Sequence, residues 1–371
     1  MIKKIFFLCF LVICNYSFSQ QNIDPQNAIV SILTVGTADE SHSLYGHTAL
    51  RIKDDLTNTD LVYNYGMFDF ATKNFMLKFV KGDLQYYAAA YPYNEFEYNY
   101  RVENRSIYEQ VLNLSAEQKK SLIAKLETTL QPENRNYTYK FIDRNCTTKV
   151  VDILNEVIGQ EIIKKQNTET KTYREVLYPY AANHFYQKLG INIIFGEKVD
   201  HLATKLFLPL DLYENLRTVN YKNQPLITKT NPVFEAQRPQ LVSYLDSIYS
   251  FIGILLLIVL FNKKAVYSLF FMLLGAIGCL FSVIGLYSFH KEVLWNYNIL
   301  LFNPLLLLLL FFVFQKNSKW IQKTAWLCLG LLGIYLIYML NKVHLVIVLP
   351  LIITVAIVLF RLIKHKTESL E

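Results

Sequence analysis

The apolar residues of this chain change their spacing several times, and each change marks an element or a domain. A short apolar run, Ile5 to Ile13, follows Lys3-Lys4 and precedes the small-x-small triplet Ser17-Phe18-Ser19. A charged start, a stretch too short to span a bilayer and a cleavage site predict a secretory signal peptide over 1–19. An uncleaved anchor is the competing reading; a lipoprotein signal fits less well, because Ile13 is bulky for the position before Cys14. Ala28 to Val35 then reads as a buried strand. His47 to Ile52 and Leu61 to Tyr65 flank the polar turn 54–58 and predict a hairpin, and Ile107 to Leu114 alternates as a further strand. Ser115 and Gln118 form a capping box ahead of Leu122, Leu126 and Leu130, which predicts a helix running to Pro132. Val150, Ile153, Leu154, Val157 and Ile158 recur at helical spacing, with Asp152 and Glu156 on the polar side, so a second helix starts near Cys146. Residues 160–240 carry no regular period. The region is α+β, antiparallel strands with helices.

The last third is different. Five apolar runs lie at about 247–261, 265–289, 299–314, 325–340 and 344–360, of which the first and fourth are the weakest as spans. They predict an all-α multi-span transmembrane domain of about five helices over 244–361, after an extramembrane domain at 20–243 and before a short tail at 362–371. Charge supports this division. The formal net charge is +7, but residues 20–246 carry 25 basic and 27 acidic side chains, while 247–371 carry 10 and 3. No basic stripe is left for nucleic acid. Eight of the tail's basic residues, Lys263, Lys264, Lys316, Lys319, Lys323, Arg361, Lys364 and Lys366, fall at one end of the runs. Only Lys291 and Lys342 fall at the other. By the positive-inside rule the domain at 20–243 and the loop at His290 face outward, and Glu371 lies in the cytoplasm.

Cysteine usage gives the sharpest chemical clue. Cys9 and Cys14 belong to the signal, Cys279 and Cys328 to spans, and Cys146 alone remains in the mature extramembrane domain. An oxidising compartment offers it no internal partner. A buried inert thiol is the bland reading. The position favours a nucleophile, because Asn145 is placed to cap the helix that Cys146 opens, where unpaired N–H groups and the helix dipole stabilise a thiolate. Those N–H groups could also hold an oxyanion. A thiolate needs a base, and the candidates are His42, His47, His184 and His201. His47 follows Gly46 at the start of a strand, where a glycine would let a substrate or the cysteine helix approach. Asn64, on the neighbouring hairpin strand, is the candidate to orient the imidazole. For each of these the alternative is an ordinary structural residue. No HExxH, CxxC, Walker, dinucleotide-glycine or Gly-x-Ser-x-Gly pattern occurs, so no metal or cofactor is expected.

Tyr45-Gly46-His47-Thr48-Ala49-Leu50-Arg51, Tyr63-Asn64-Tyr65-Gly66-Met67-Phe68-Asp69-Phe70, Asn104-Arg105, Pro132-Glu133-Asn134-Arg135 and Asn145-Cys146-Thr147-Thr148 together resemble the Bacteroidota lipoprotein N-acyltransferases of the Lnb type. In the tail, Trp295 to Pro304 is similar to that family's asparagine-rich entry to a span. The order histidine, polar residue, cysteine is also similar to permuted papain-like enzymes of the lecithin:retinol acyltransferase kind. The resemblance implies a periplasmic catalytic domain on an inner-membrane anchor, with Cys146 as nucleophile, His47 as base and Asn64 as orienting residue. It implies a phospholipid as acyl donor and diacylglyceryl-cysteine lipoproteins as acceptors. A cell-wall cysteine peptidase or amidase of the NlpC class would use the same dyad without needing the tail, and a non-enzymatic membrane scaffold would not need Cys146.

Overall fold

A seven-stranded antiparallel sheet carries the first domain, in the order β6-β4-β3-β2-β1-β5-β9. The structure, a computed structural model, describes residues 23–40, 43–165, 170–237 and 243–364. The predicted signal peptide with Cys9 and Cys14, His42 and Glu371 lie outside the described residues. The strands are β1 (Ile29–Val35), β2 (His47–Asp54), β3 (Thr59–Met67), β4 (Gln85–Pro92), β5 (Ile107–Leu112), β6 (Asn136–Thr138) and β9 (Ile227–Phe234). A separate ribbon pairs β7 (Asn220–Tyr221) with β8 (Gln224–Pro225). The predicted hairpin is β2–β3, with Leu50 opposite Tyr63 and Ala49 opposite Asn64.

Both faces of the central strands are covered, which is why β1 and β2 are buried at successive positions rather than alternately. On one face Ile32, Leu50, Ile52, Tyr63 and Tyr65 pack with α3 (Ala116–Leu130) and α4 (Cys146–Ile158). On the other, Leu33, Ala49 and Val62 pack with Phe96 of α2 (Tyr93–Val102). The predicted capping box at Ser115 forms, and the predicted cap at Asn145 forms as well, closing a box with Thr148. Leu122 and Leu126 of α3 are fully buried, and truncating either to alanine costs about 2–5 kcal/mol. A short helix, α1 (Phe75–Lys81), stands between β3 and β4. The stretch without a readable period holds α5 (Tyr173–Leu177), α6 (Phe185–Ile194) and α7 (Pro209–Leu216).

The tail contains α8 (Ile248–Phe261), α9 (Lys264–Tyr287), α10 (Leu305–Phe314), α11 (Ser318–Met339) and α12 (Leu345–Lys364). Among the described residues four segments are long and apolar enough to cross a membrane: Lys264–Tyr287, Lys291–Phe314, Ser318–Met339 and Leu345–Lys364. The fourth run is longer than its apolar core suggests, because α11 begins seven residues earlier at Ser318. The first, α8, is shorter, at 14 residues. Its two ends nonetheless lie on opposite sides of the helical bundle. At its start, Ser250 bonds Tyr186 of α6 at 2.9 Å. Near its end, the Val259 carbonyl accepts from Arg361 at the far end of α12. The loops carrying Lys291 and Lys342 lie against the first domain, where Lys342 Nζ is 3.0 Å from Asp200. The sorting of basic residues therefore matches the arrangement of the helix ends.

Asparagines in the loop before α10 lock the two domains together. Asn296 Nδ2 donates to the Ile193 and Ile194 carbonyls at 2.9 and 3.0 Å, and Asn298 Nδ2 to the Asn192 carbonyl at 2.9 Å. These oxygens end α6 and have no partner within the helix, so the tail supplies its C-terminal cap. Beside them Arg174, with no exposed surface, pairs with Asp200 at 2.6 Å, and Tyr297 donates to the same carboxylate at 2.7 Å.

Candidate active site

Cys146 opens α4 as its first helical residue, and the loop before it is tied down at several points. Asn145 accepts from the Thr148 N–H at 2.9 Å, while its own N–H donates to Thr148 Oγ1 at 2.8 Å. The Asn145 amide nitrogen donates to the carbonyls of Phe141 and Phe207 at 2.8 and 2.7 Å. A capping asparagine with every polar atom engaged leaves the thiol little freedom of position.

His47 begins β2, and Asn64 lies on β3 opposite Ala49. Ala49 is two positions on from His47, so the pleat puts His47 and Asn64 on one side of the sheet. His47 Nε2 is 3.0 Å from Asn64 Oδ1. Asn64 Nδ2 donates to the Val62 carbonyl at 3.1 Å, which fixes the amide so that oxygen faces the ring. Nε2 therefore carries the proton, and Nδ1 is the basic nitrogen left for the thiol. The imidazole lies near enough to the Cys146 thiol to act on it. Burial alone would push this thiol up, but the His47 imidazole, the Thr48 N–H and the Thr147 hydroxyl outweigh it and set the thiol below its ordinary value. Thr48 and Thr147 also bond each other at 3.0 Å and pin the helix start to β2.

Gly66 makes room for this meeting. It falls in a register shift of β3 between Asn64 and Met67 and has φ +90°, a conformation that glycine adopts without strain. A side chain there would point at Cys146 Cβ and the Tyr139 ring, each 3.7 Å away. Gly46 is crowded by strand β1: with φ +82°, a Cβ on it would lie 2.5 Å from the Val35 carbonyl oxygen.

All three expected site residues thus come together at one end of the sheet. The other candidate histidines among the described residues do not join them: His184 stands between Asp39 and Asp246 at 3.4 and 3.5 Å, and His201 follows a short turn, exposed. Residues that the pattern of the chain does not reveal complete the surroundings. Tyr100 lies 6.3 Å from the His47 ring, centroid to centroid, and Arg105 stacks over Tyr100 at 4.8 Å. Tyr137 and Tyr139 lie beyond Gly66, their phenols pushed up by burial first and by Cys146 second. Gly66 is the one of these with a readable signal, an isolated glycine inside a strand. A cleft of about 710 Å³ lined by Thr37, Lys171, Glu175 and His184 lies elsewhere and includes none of Cys146, His47 and Asn64. Among the described residues no cluster of potential metal ligands occurs.

The site can deprotonate a thiol, hold an imidazolium and keep bulk water away, since Cys146 is 9% exposed. That is the equipment of a covalent acyl-transfer step. A family model described as the Lnb N-terminal periplasmic domain matches residues 15–178, and one described as the Lnb transmembrane domain matches residues 237–368. No curated protein and no solved structure matches the chain.

Proposed function

The chain belongs to the Lnb family, a multi-pass membrane protein with a periplasmic domain, and from that premise we propose that it is a lipoprotein N-acyltransferase of the inner membrane. The Cys146 thiolate attacks an acyl ester of a phospholipid. The S–C bond forms, the ester C–O bond breaks, and the leaving alkoxide takes the proton held by His47. The α-amino group of a diacylglyceryl-cysteine lipoprotein then attacks the thioester. The N–C bond forms, the C–S bond breaks, and His47 accepts the amine proton as the thiolate returns. Asn64 holds the imidazole with Nδ1 toward the sulfur throughout.

The observation that carries this reading is the grouping of buried Cys146 and Asn64 with half-buried His47 in a domain docked on membrane spans. Papain-like enzymes of permuted order use the same sequence of base, orienting residue and thiol. A thioester needs protection from water to await a second lipid substrate, and a nearly closed thiol beside the bilayer offers it. Mass spectrometry of lipoprotein N-termini from cells with and without this protein tests the function. Loss of the N-linked acyl chain in its absence is the expected result. Unchanged N-termini together with uncut peptidoglycan stem peptides would favour the peptidase reading instead.

A further inference from the structure

The segment between β3 and β4 is unusually apolar for a surface. Phe70, Met76 and Leu77 are each about two-thirds exposed, and α1 buries none of its residues. A patch of this kind needs an occupant. Its location identifies one. The C-terminal end of α1 is bonded to the residues that end span α9: Ser288 Oγ donates to the Val80 carbonyl at 2.8 Å and the Phe289 N–H to the Lys81 carbonyl at 2.7 Å. His290 Nε2 lies 2.9 Å from the Phe79 carbonyl. The contact is close enough that a Cβ on Gly82 would come 2.8 Å from the His290 ring. Leu286, Tyr287 and Phe289 at the same end are exposed as well. A segment fixed to the outer end of a span sits at the height of the lipid headgroups, and its exposed lysines Lys73 and Lys78 suit lipid phosphates there.

The same segment leads inward. Phe79 neighbours Phe75 at 6.2 Å between ring centroids, Phe75 neighbours Phe68 at 5.9 Å, Phe68 neighbours Tyr86 at 5.3 Å, and Tyr86 stacks on Tyr139 at 4.4 Å. Tyr139 and Cys146 then face each other across Gly66. An unbroken row of rings therefore connects the exposed helix with the thiol.

We infer that Phe68 to Lys81 is a membrane-inserted wedge that guides an acyl chain from the periplasmic leaflet along this aromatic row to Cys146. Insertion stands on the position of α1 alone; acyl guidance rests on the acyltransferase reading.

The two parts are tested separately. A nitroxide is placed at Leu77, or at Leu56 in the β2–β3 turn, which is as exposed and apolar but lies at the far end of the hairpin from His47. The background replaces Cys146, Cys279 and Cys328, and the protein is reconstituted in nanodiscs of phosphatidylethanolamine and phosphatidylglycerol. The label at Leu77 should collide with oxygen and be shielded from a water-soluble nickel chelate, with the reverse at Leu56. Equal access of the chelate to both sites overturns insertion. For guidance, Leu77→Glu in the otherwise unchanged chain should slow acylation of Cys146 by bilayer phospholipid at least about tenfold, with alkylation by iodoacetamide unchanged. Unaltered acylation, or an equal fall in both reactions, overturns guidance. Absence of acylation in the unsubstituted chain would instead be a failure of the acyltransferase reading, and the nitroxide result would still stand.

Discussion

The Glu292 carboxylate, in the stretch between helices α9 and α10, accepts the Ile142 amide hydrogen at 3.3 Å, four residues ahead of Cys146. The membrane domain thus touches the loop that leads into Cys146. Lys198 joins the same contact, 2.5 Å from Asp143 and 3.3 Å from Glu292. Burial, outweighed by Lys198 and Lys205, leaves the Asp143 carboxyl below its ordinary value. The loop before Cys146 and the membrane domain are thereby joined into one unit.

Glu292→Gln should loosen that unit. Glu292 is almost fully buried, and hydrogen bonds to charged groups contribute about 1.5–3 kcal/mol. The expected outcome is a lower Tm in detergent and slower acylation of Cys146. Glu117→Gln, on an exposed helix turn, serves as the comparison and should change neither.

Asn64 should act through His47. Asn64→Ala removes the acceptor that fixes Nε2–H, so the ring can turn Nδ1 away from the sulfur. Thioester formation should slow by about 10–100-fold, less than the 10²–10⁴-fold typical of losing a general base outright. Asn64→Asp retains an oxygen toward Nε2 and should keep more of the rate than Asn64→Ala. Equal losses in the two variants would argue against an orienting role.

The thiol titration carries a definite sign. In the unsubstituted protein His47, Thr48 and Thr147 together outweigh burial, so iodoacetamide alkylation of Cys146 should reach half its maximal rate below the ordinary thiol pKa. In His47→Ala burial loses its main opponent. The midpoint should then move up past the ordinary value. Identical midpoints in the two proteins would show that the imidazole does not act on the sulfur.

The hairpin, the two capped helices and the thiol were legible because each rests on local physics. A polar turn between two apolar strands sets β2 beside β3; the register that puts Asn64 opposite Ala49, and so on the same face as His47, is visible only in the structure. An asparagine before an amphipathic run fixes where α4 begins. The illegible parts depend on distant or irregular partners. Strand β4, with three consecutive alanines, has no alternation to read, and β6 has only three residues. Glu292 meets Ile142 across 150 positions, and Asn296 and Asn298 cap a helix a hundred residues earlier. No local pattern announces such contacts. The crowding of Gly46 has the same origin, since the strand against it comes from a separate segment.

Membrane topology provides a further check. The ends of α8, α9 and α12 that carry Lys263, Lys264 and Arg361 gather away from the periplasmic domain, where Arg361 bonds the Val259 carbonyl and Tyr267. That requires α8 to cross despite its 14 residues. A reporter active only in the cytoplasm should therefore work when fused after Glu371, and a periplasm-specific reporter should not.

The central claim is that Cys146 carries an acyl group. The direct measurement is intact and peptide mass spectrometry of the purified protein after incubation with phospholipid and no acceptor. A fatty acyl mass is predicted on the peptide containing Cys146. Hydroxylamine should remove it, a diacylglyceryl-cysteine peptide should discharge it onto the peptide's amine, and Cys146→Ala should never acquire it. An unmodified Cys146 in protein that is folded and supplied with lipid would contradict the account.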